Sequence, residues 1–196
     1  MRYLWLITVA ALSLANAAPP KTQNEIIAQF FGYVETIRDI QFENMLTVTL
    51  HFVSQIVESV PAGERGPATA SLQAYVDRGQ IVKERGTRTQ KLDYCQGLQE
   101  LFGTVGAQMQ SNSAEGQVIG MSVLGLLGVA SEFAEEDTKF YNKFSQGATQ
   151  MKEKLTPSTI SRESELFQAI DEYINSKDFQ AHEALIEKVL SFKNRY

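Results

Sequence analysis

Residues 44–57 read NMLTVTLHFVSQIV, fourteen positions without a charged side chain. Apolar side chains cover most of a helix circumference in this stretch, which is typical of a helix in the middle of a bundle. The alternation from Thr47 to Phe52 also fits a β-strand, but the chain offers no second stretch of comparable quality to pair with it. We therefore predict a helix, because local propensity yields to the surrounding context.

The predicted helix extends beyond this stretch on both sides. Thr22 and Glu25 have the spacing of a capping box, in which each side chain binds the backbone amide of the other residue. No Gly-Pro or Asn-Gly pair interrupts the chain from there to Pro61. The apolar positions shift by five residues between Ile37 and Phe42. We expect a bend between those two residues or a wider apolar arc there.

A second uncharged stretch, residues 116–131, reads GQVIGMSVLGLLGVAS. Gly116 and Gly120 would let another helix approach closely, but each glycine inside a helix costs about 0.8–1 kcal/mol relative to alanine. The stretch needs packing to remain helical, so we predict a central buried helix paired with residues 44–57. Two alternatives stay open: a pocket wall for an apolar ligand, and a hairpin that enters a bilayer, since the composition resembles glycine-spaced membrane-inserting segments.

The remaining pattern also favours helices. Apolar residues make up 43% of the 196 residues and charged residues 21%, which is ordinary globular usage. Residues 61–67 form the clearest linker, and further breaks fall at residues 111–113 and 156–158. The sequence therefore predicts an all-α fold, a single-domain bundle of about five or six helices with two long central apolar helices.

The amino terminus has the pattern of a signal peptide. A short cationic start is followed by a largely apolar run at residues 3–14 and by a small-x-small cleavage site at residues 15–17. The run is shorter than the roughly 18 apolar residues of a membrane anchor. We predict a signal peptide at residues 1–17, a single helical domain at residues 18–196, and a secreted, extracellular protein without a stable membrane anchor.

Cys95 is the single cysteine of the chain, so no internal disulfide is possible. It falls on a stripe of apolar residues spaced three and four apart, which indicates the inner face of a helix. We predict a buried thiol that packs as a small hydrophobe. An intermolecular disulfide is the alternative.

Motifs for catalysis, metals and nucleotides are missing from the sequence. His51 and His182 are its two histidines, and the start of a zinc motif at His182 fails because position 186 is isoleucine. A net charge of −5 repels phosphate backbones. We expect a protein that is not an enzyme, with no metal, no cofactor and no nucleic-acid partner; the sequence leaves a protein partner unknown.

Two groups of residues are candidates for contacts. His51 and Tyr75 are possible polar contacts for an apolar ligand, and Gly120 and Gly125 would let a ligand approach the backbone. A cationic cluster is an exposed turn or a docking patch for an acidic partner or for lipid headgroups. The cluster consists of Arg78, Lys83, Arg85, Arg88 and Lys91.

Three functions fit these observations. The first is a secreted, non-enzymatic carrier that shelters a lipid or another apolar small molecule between helices. The second is a secreted protein-interaction factor of a body fluid with no ligand pocket. The third is a membrane-active protein that inserts residues 116–131.

Overall fold

A computed structural model describes residues 21–109, 112–178 and 181–196, and these residues form helices and no strand. The predicted all-α fold is therefore confirmed. The predicted signal peptide, residues 1–17, lies outside the described residues. In chain order the α-helices are α1 (Gln23–Ser59), α2 (Pro67–Arg85), α3 (Arg88–Gln96), α4 (Leu98–Gln108), α5 (Ala114–Ser122), α6 (Leu126–Lys154), α7 (Pro157–Arg162), α8 (Ser164–Asn175) and α9 (His182–Leu190).

The helices outnumber the predicted five or six because three turns divide longer runs. Gly97 separates α3 from α4, the 3-10 turn Val123–Gly125 separates α5 from α6, and Glu163 separates α7 from α8. The contacts divide the chain into two compact units. The first comprises residues 21–31 with residues 150–196, and the second comprises residues 32–149; α1 and α6 contribute residues to both.

The long first helix is confirmed as one helix of 37 residues. The capping box at its start is present, since the Thr22 amide donates to Glu25 Oε2 at 2.6 Å and the Glu25 amide donates to Thr22 Oγ1 at 3.2 Å. In the second unit, Leu46 and Val53 are fully buried. The buried Thr49 hydroxyl donates to the Met45 carbonyl at 2.9 Å, so a polar side chain is accommodated in the core without an unpaired group.

Helices α2, α3 and α4 supply the apolar side chains that cover α1. Leu72, Val76, Leu98 and Val105 belong to the same buried cluster as the uncharged stretch of α1. Pro67 stands in the first turn of α2, as predicted from its position after the linker. Because these three helices occupy much of the space against α1, little buried space is left there for residues 116–131.

Residues 116–131 are helical over most of their length, but the prediction of a central buried helix is wrong. Ile119 and Val129 are buried, whereas Met121, Leu124 and Leu127 are 71%, 75% and 78% exposed. The physical reason is that the core around α1 is completed largely by α2, α3 and α4. The stretch therefore packs by one face and presents the other to solvent.

The prediction of a buried thiol at Cys95 is confirmed. The residue is buried and free, and burial raises the pKa of its thiol. It lies in α3, which begins with a capping box between Thr87 and Gln90. A buried thiol with a raised pKa is a poor nucleophile.

In the first unit the apolar faces of α8 and α9 form the core. Leu166, Ile170 and Ile186 are almost fully buried there. The Tyr196 hydroxyl donates to Glu163 Oε2 at 2.5 Å, and the Thr156 side chain caps α7. These two helices follow the short α7 in the chain.

A pair of tyrosines joins α2 to α3. The rings of Tyr75 and Tyr94 stack with centroids 4.2 Å apart, and each hydroxyl donates to the backbone carbonyl of the other residue, at 2.5 and 2.9 Å. Gly79 lies against this pair, where a Cβ atom would overlap the Tyr94 hydroxyl and stand 2.5 Å from Leu50 Cδ2. The Tyr94 ring could move away from such a Cβ atom only by breaking the hydrogen bond from its hydroxyl to the Tyr75 carbonyl.

We expect Gly79→Ala to lower the free energy of unfolding by about 1–2 kcal/mol, because the overlap outweighs the gain in helix propensity. Urea unfolding measures this change. Gly120→Ala is the matched control, since no atom lies within 4 Å of a Cβ there, and it should leave stability unchanged or slightly raised. Equal stability of the two variants would contradict the packing of Tyr94 against Gly79.

Candidate functional site

The most unusual surface of the second unit is the outward side of residues 116–131. We call the exposed side chains of Met121, Leu124 and Leu127 the apolar face. Their spacing of three residues places them within about one third of the helix circumference. Large apolar side chains exposed together on one helix mark an interaction site more often than scattered ones do.

The helical run Ala114–Lys154 contains an 18-residue window that is long and apolar enough to cross a bilayer, with a mean hydropathy of 1.5. Core helices of soluble proteins pass the same test, but they are mostly buried. Here 11% of the window is buried. The apolar character of the run is therefore at the surface.

A groove runs beside the apolar face, between α1 and the end of α5 with the start of α6. It is open to solvent and has a volume of about 890 Å³. The residues lining it are partly apolar and partly polar. Its lining includes Val48, His51, Phe52, Ile56, Ser122, Gly125, Gly128, Val129 and Glu132.

The groove brings together two of the four predicted ligand contacts. His51 and Gly125 both line it, and a Cβ atom at Gly125 would stand 2.7 Å from Phe52 Cε2. Gly120 is exposed on the same helical run and does not line the groove. Tyr75 lies elsewhere, because its ring is buried against Tyr94 and its hydroxyl is occupied by a backbone carbonyl. Burial raises the pKa of Tyr75 well above its usual value.

Much of the predicted cationic cluster is occupied within the second unit. Arg88 pairs with Asp39 at 2.7 Å, and Lys91 pairs with Glu43 at 2.5 Å. The Arg78 guanidinium stacks over the rings of Tyr75 and Tyr94, and the Lys83 ammonium donates to the Thr47 hydroxyl at 3.3 Å. Arg85 is exposed at the end of α2. The geometry gives these residues a structural role in joining α2 and α3 to α1.

Carboxylates hold the helical run on both sides of its uncharged part. Before it, Glu115 Oε1 accepts from the amides of Gly66 and Thr69 and from the Thr69 hydroxyl, at 2.8, 2.7 and 2.6 Å. After it, Glu136 Oε2 accepts from the Asn44 side chain at 2.7 Å. The sequence did not reveal either contact. Glu136 is buried, although the acidic residues near it, Glu132, Glu135 and Asp137, are exposed.

Burial by itself raises the pKa of Glu115, but the hydrogen bonds from Thr69 and Gly66 outweigh it and lower the pKa below its usual value. The Gly66 position is the N-cap of α2 and carries no side chain to cap the helix. Glu115, which belongs to α5, supplies this missing cap. The dipole of α2 also favours a negative charge at the amino terminus of that helix.

The described residues contain no group of three or more His, Cys, Asp or Glu side chains placed to hold a metal ion. No family model, no curated protein and no solved structure matches this chain. The candidate site therefore has to be interpreted from its own geometry.

We expect Glu115→Gln to lower the free energy of unfolding at neutral pH by about 1–3 kcal/mol, the usual effect of weakening hydrogen bonds to a buried charge. The stabilisation by Glu115 is present above the ordinary carboxyl pKa of about 4.3. It is lost as the pH falls through the lower pKa of the folded protein. The difference between wild type and variant should therefore shrink on acidification.

Urea unfolding at several pH values measures both free energies. The other carboxylates titrate alike in the two proteins, so the difference isolates Glu115. A difference that stays constant from neutral to acidic pH would contradict the lowered pKa.

Proposed function

We propose that this protein is a secreted, non-enzymatic binding protein that adsorbs reversibly to lipid surfaces through the apolar face of residues 116–131. The observation that carries the proposal is the exposure of Met121, Leu124 and Leu127, each above 70%, on an uncharged helical stretch. Burying three such side chains contributes about 5 kcal/mol before the cost of binding. That is enough for weak, reversible adsorption.

A lipid surface fits this face better than a protein does. Around the three large side chains several outward positions are small residues, among them Gly120, Gly128 and Ala130, and the exposed polar residues of the stretch, Gln117 and Ser131, stand near its ends. Such a face offers few hydrogen-bonding groups to fix a partner protein in one orientation. A lipid surface requires no fixed orientation, and a helix lying in the interface buries its apolar side to a depth of about 5–10 Å.

The charged residues beside the apolar face indicate which lipid headgroups it favours. Residues 116–131 carry no cation, and Glu115 and Glu132 flank them. Interfacial helices that bind anionic lipids have lysine and arginine beside the apolar side. The arrangement here favours surfaces with zwitterionic or uncharged headgroups.

The groove supports a second candidate function, the binding of an apolar small molecule. It gathers His51 and Gly125 against the apolar side chains of Val48, Ile56 and Val129. The predicted carrier, however, required two buried helices with a ligand sheltered between them. Since residues 116–131 are exposed along one side, the groove supports a partly covered ligand.

We expect the mature chain, residues 18–196, to float with phosphatidylcholine vesicles in a density gradient, and Leu124→Gln with Leu127→Gln to reduce the bound fraction at least tenfold. Each leucine contributes on the order of 1.5–3 kcal/mol when fully buried in lipid. Addition of phosphatidylserine to the vesicles should weaken binding. Ile81→Gln is the matched control, because Ile81 is an apolar residue of α2 that is 63% exposed.

Two results would overturn the lipid proposal. One is a wild-type chain that does not float with neutral vesicles, and the other is a double variant that floats as well as wild type.

The groove is tested separately by Gly128→Leu, which adds volume where no atom lies within 4 Å of a Cβ. We expect it to abolish binding of a fluorescent fatty acid while vesicle binding persists, because Met121, Leu124 and Leu127 are retained and the added side chain is itself apolar. A wild-type chain that binds no fluorescent fatty acid would remove the second candidate and leave the first intact.

A further inference from the structure

We infer that the Glu115 carboxylate is an acid-sensitive latch: it ties the start of α5 to the first turn of α2, and its protonation loosens residues 114–131 so that more of their apolar surface can reach lipid. The lipid half of this inference rests on the proposed function. The loosening itself is a property of the protein alone.

The latch is one oxygen atom with three donors. Glu115 Oε1 accepts from both backbone amides at the start of α2 and from the Thr69 hydroxyl, and the side chain is 6% exposed. Hydrogen bonds to an ionised acceptor are roughly twice as strong as neutral ones. Protonation therefore weakens all three contacts and removes the attraction between the carboxylate and the helix dipole.

The groups that face Glu115 from α2 are uncharged, being the Gly66 and Thr69 amides and the Thr69 hydroxyl. Arg65 directly precedes them, but its Nε donates to the Val60 carbonyl at 3.1 Å. Glu64 lies in the preceding turn. From the carboxyl end of α4, Gln108 binds the Ser71 hydroxyl at 2.8 Å. The charge of Glu115 is thus balanced by hydrogen bonds, so that its protonation leaves no cation behind unpaired.

Between the latch and Glu136, apolar packing on one face holds the helical run. The Ser122 hydroxyl donates to the Val118 carbonyl in its own helix. Ile119 and Val129 are buried, and Val118, Leu126 and Phe133 are partly buried against the same core. Ile119 and Val129 lie on the side of the helix opposite the apolar face, so release of the run would expose additional apolar surface. The hydrogen bonds of Glu115 oppose that release at the start of the run.

Amide hydrogen exchange of the full mature chain without lipid tests the loosening. We expect exchange of residues 114–131 in Glu115→Gln to be at least tenfold faster than in wild type at neutral pH, with exchange in α1 at residues 44–57 unchanged. Glu135→Gln is the matched control, an exposed carboxylate whose Lys139 contact is 4.0 Å long. Equal exchange of residues 114–131 in all three proteins would overturn the latch, whatever the result with vesicles.

Thr69→Val provides a second variant that keeps the carboxylate and removes one donor. We expect it to accelerate exchange of residues 114–131 by a smaller factor than Glu115→Gln does. If Glu115→Gln unfolds the whole chain, a Thr69→Val variant that exchanges like wild type would overturn the inference on its own.

Vesicle flotation then tests the link to lipid. Measured over a series of pH values, binding of wild type to phosphatidylcholine vesicles should become several-fold tighter than at pH 7 once the pH has fallen through the lowered pKa of Glu115, because the carboxylate of the folded protein is protonated only there. Glu115→Gln should bind more tightly than wild type at pH 7 and show a smaller pH response. If Glu115→Gln speeds the exchange of residues 114–131 but does not bind vesicles more tightly, the loosening stands and its coupling to lipid is overturned. If Leu124→Gln with Leu127→Gln does not weaken vesicle binding, only the proposed function is overturned.

Discussion

The uncharged stretch of α1 has to be covered, and this requirement organises the second unit. Leu46, Leu50 and Val53 are buried there, and the buried Thr49 hydroxyl donates to the backbone of its own helix. Helices α2, α3 and α4 provide that cover, and the Tyr75–Tyr94 pair fixes α2 against α3 through two hydrogen bonds. Once α1 is enclosed in this way, a second fully apolar helix has few buried positions left to occupy.

The two parts of the helical run that follows are held in different ways. Arg38 lies buried with its guanidinium 4.4 Å from the centroid of the Phe42 ring and 5.1 Å from that of Phe140, and it donates to Gln41. Gln41 in turn donates to Asp137 at 2.6 Å. This network ties the later part of α6 to α1 through stacked rings and hydrogen bonds. The uncharged part is held by apolar side chains on one face, with Ile119 and Val129 buried and Val118 and Leu126 partly buried, and by Glu115 at its start.

The second unit therefore combines a buried core around α1 with an exposed apolar face on residues 116–131. A surface of this kind is suited to contact with lipid, because the apolar side chains are exposed without first unfolding the core. Acidic residues stand on both sides of it, with Glu132 exposed and Glu115 buried. Glu115 caps α2 and ties it to the start of the apolar stretch.

Local patterns in the sequence were sufficient for the helices, the capping box at Thr22, the proline at the start of α2 and the burial of Cys95. Each of these depends on residues a few positions apart, where spacing alone decides which side chains share a face. The candidate site was found in part, because uncharged composition identified residues 116–131 and placed His51 and Gly125 near apolar surface.

The tertiary structure decided which of the two uncharged stretches is enclosed. Both stretches lack charge around the helix, so the spacing of apolar residues does not distinguish a covered helix from an exposed one. The outcome depends on competition with α2, α3 and α4 for space against α1. The same holds for Glu115 and Glu136, whose partners are 46 to 92 residues away along the chain. By itself, the sequence determined where the helices form, while the assignment of their faces to core or solvent followed from long-range packing.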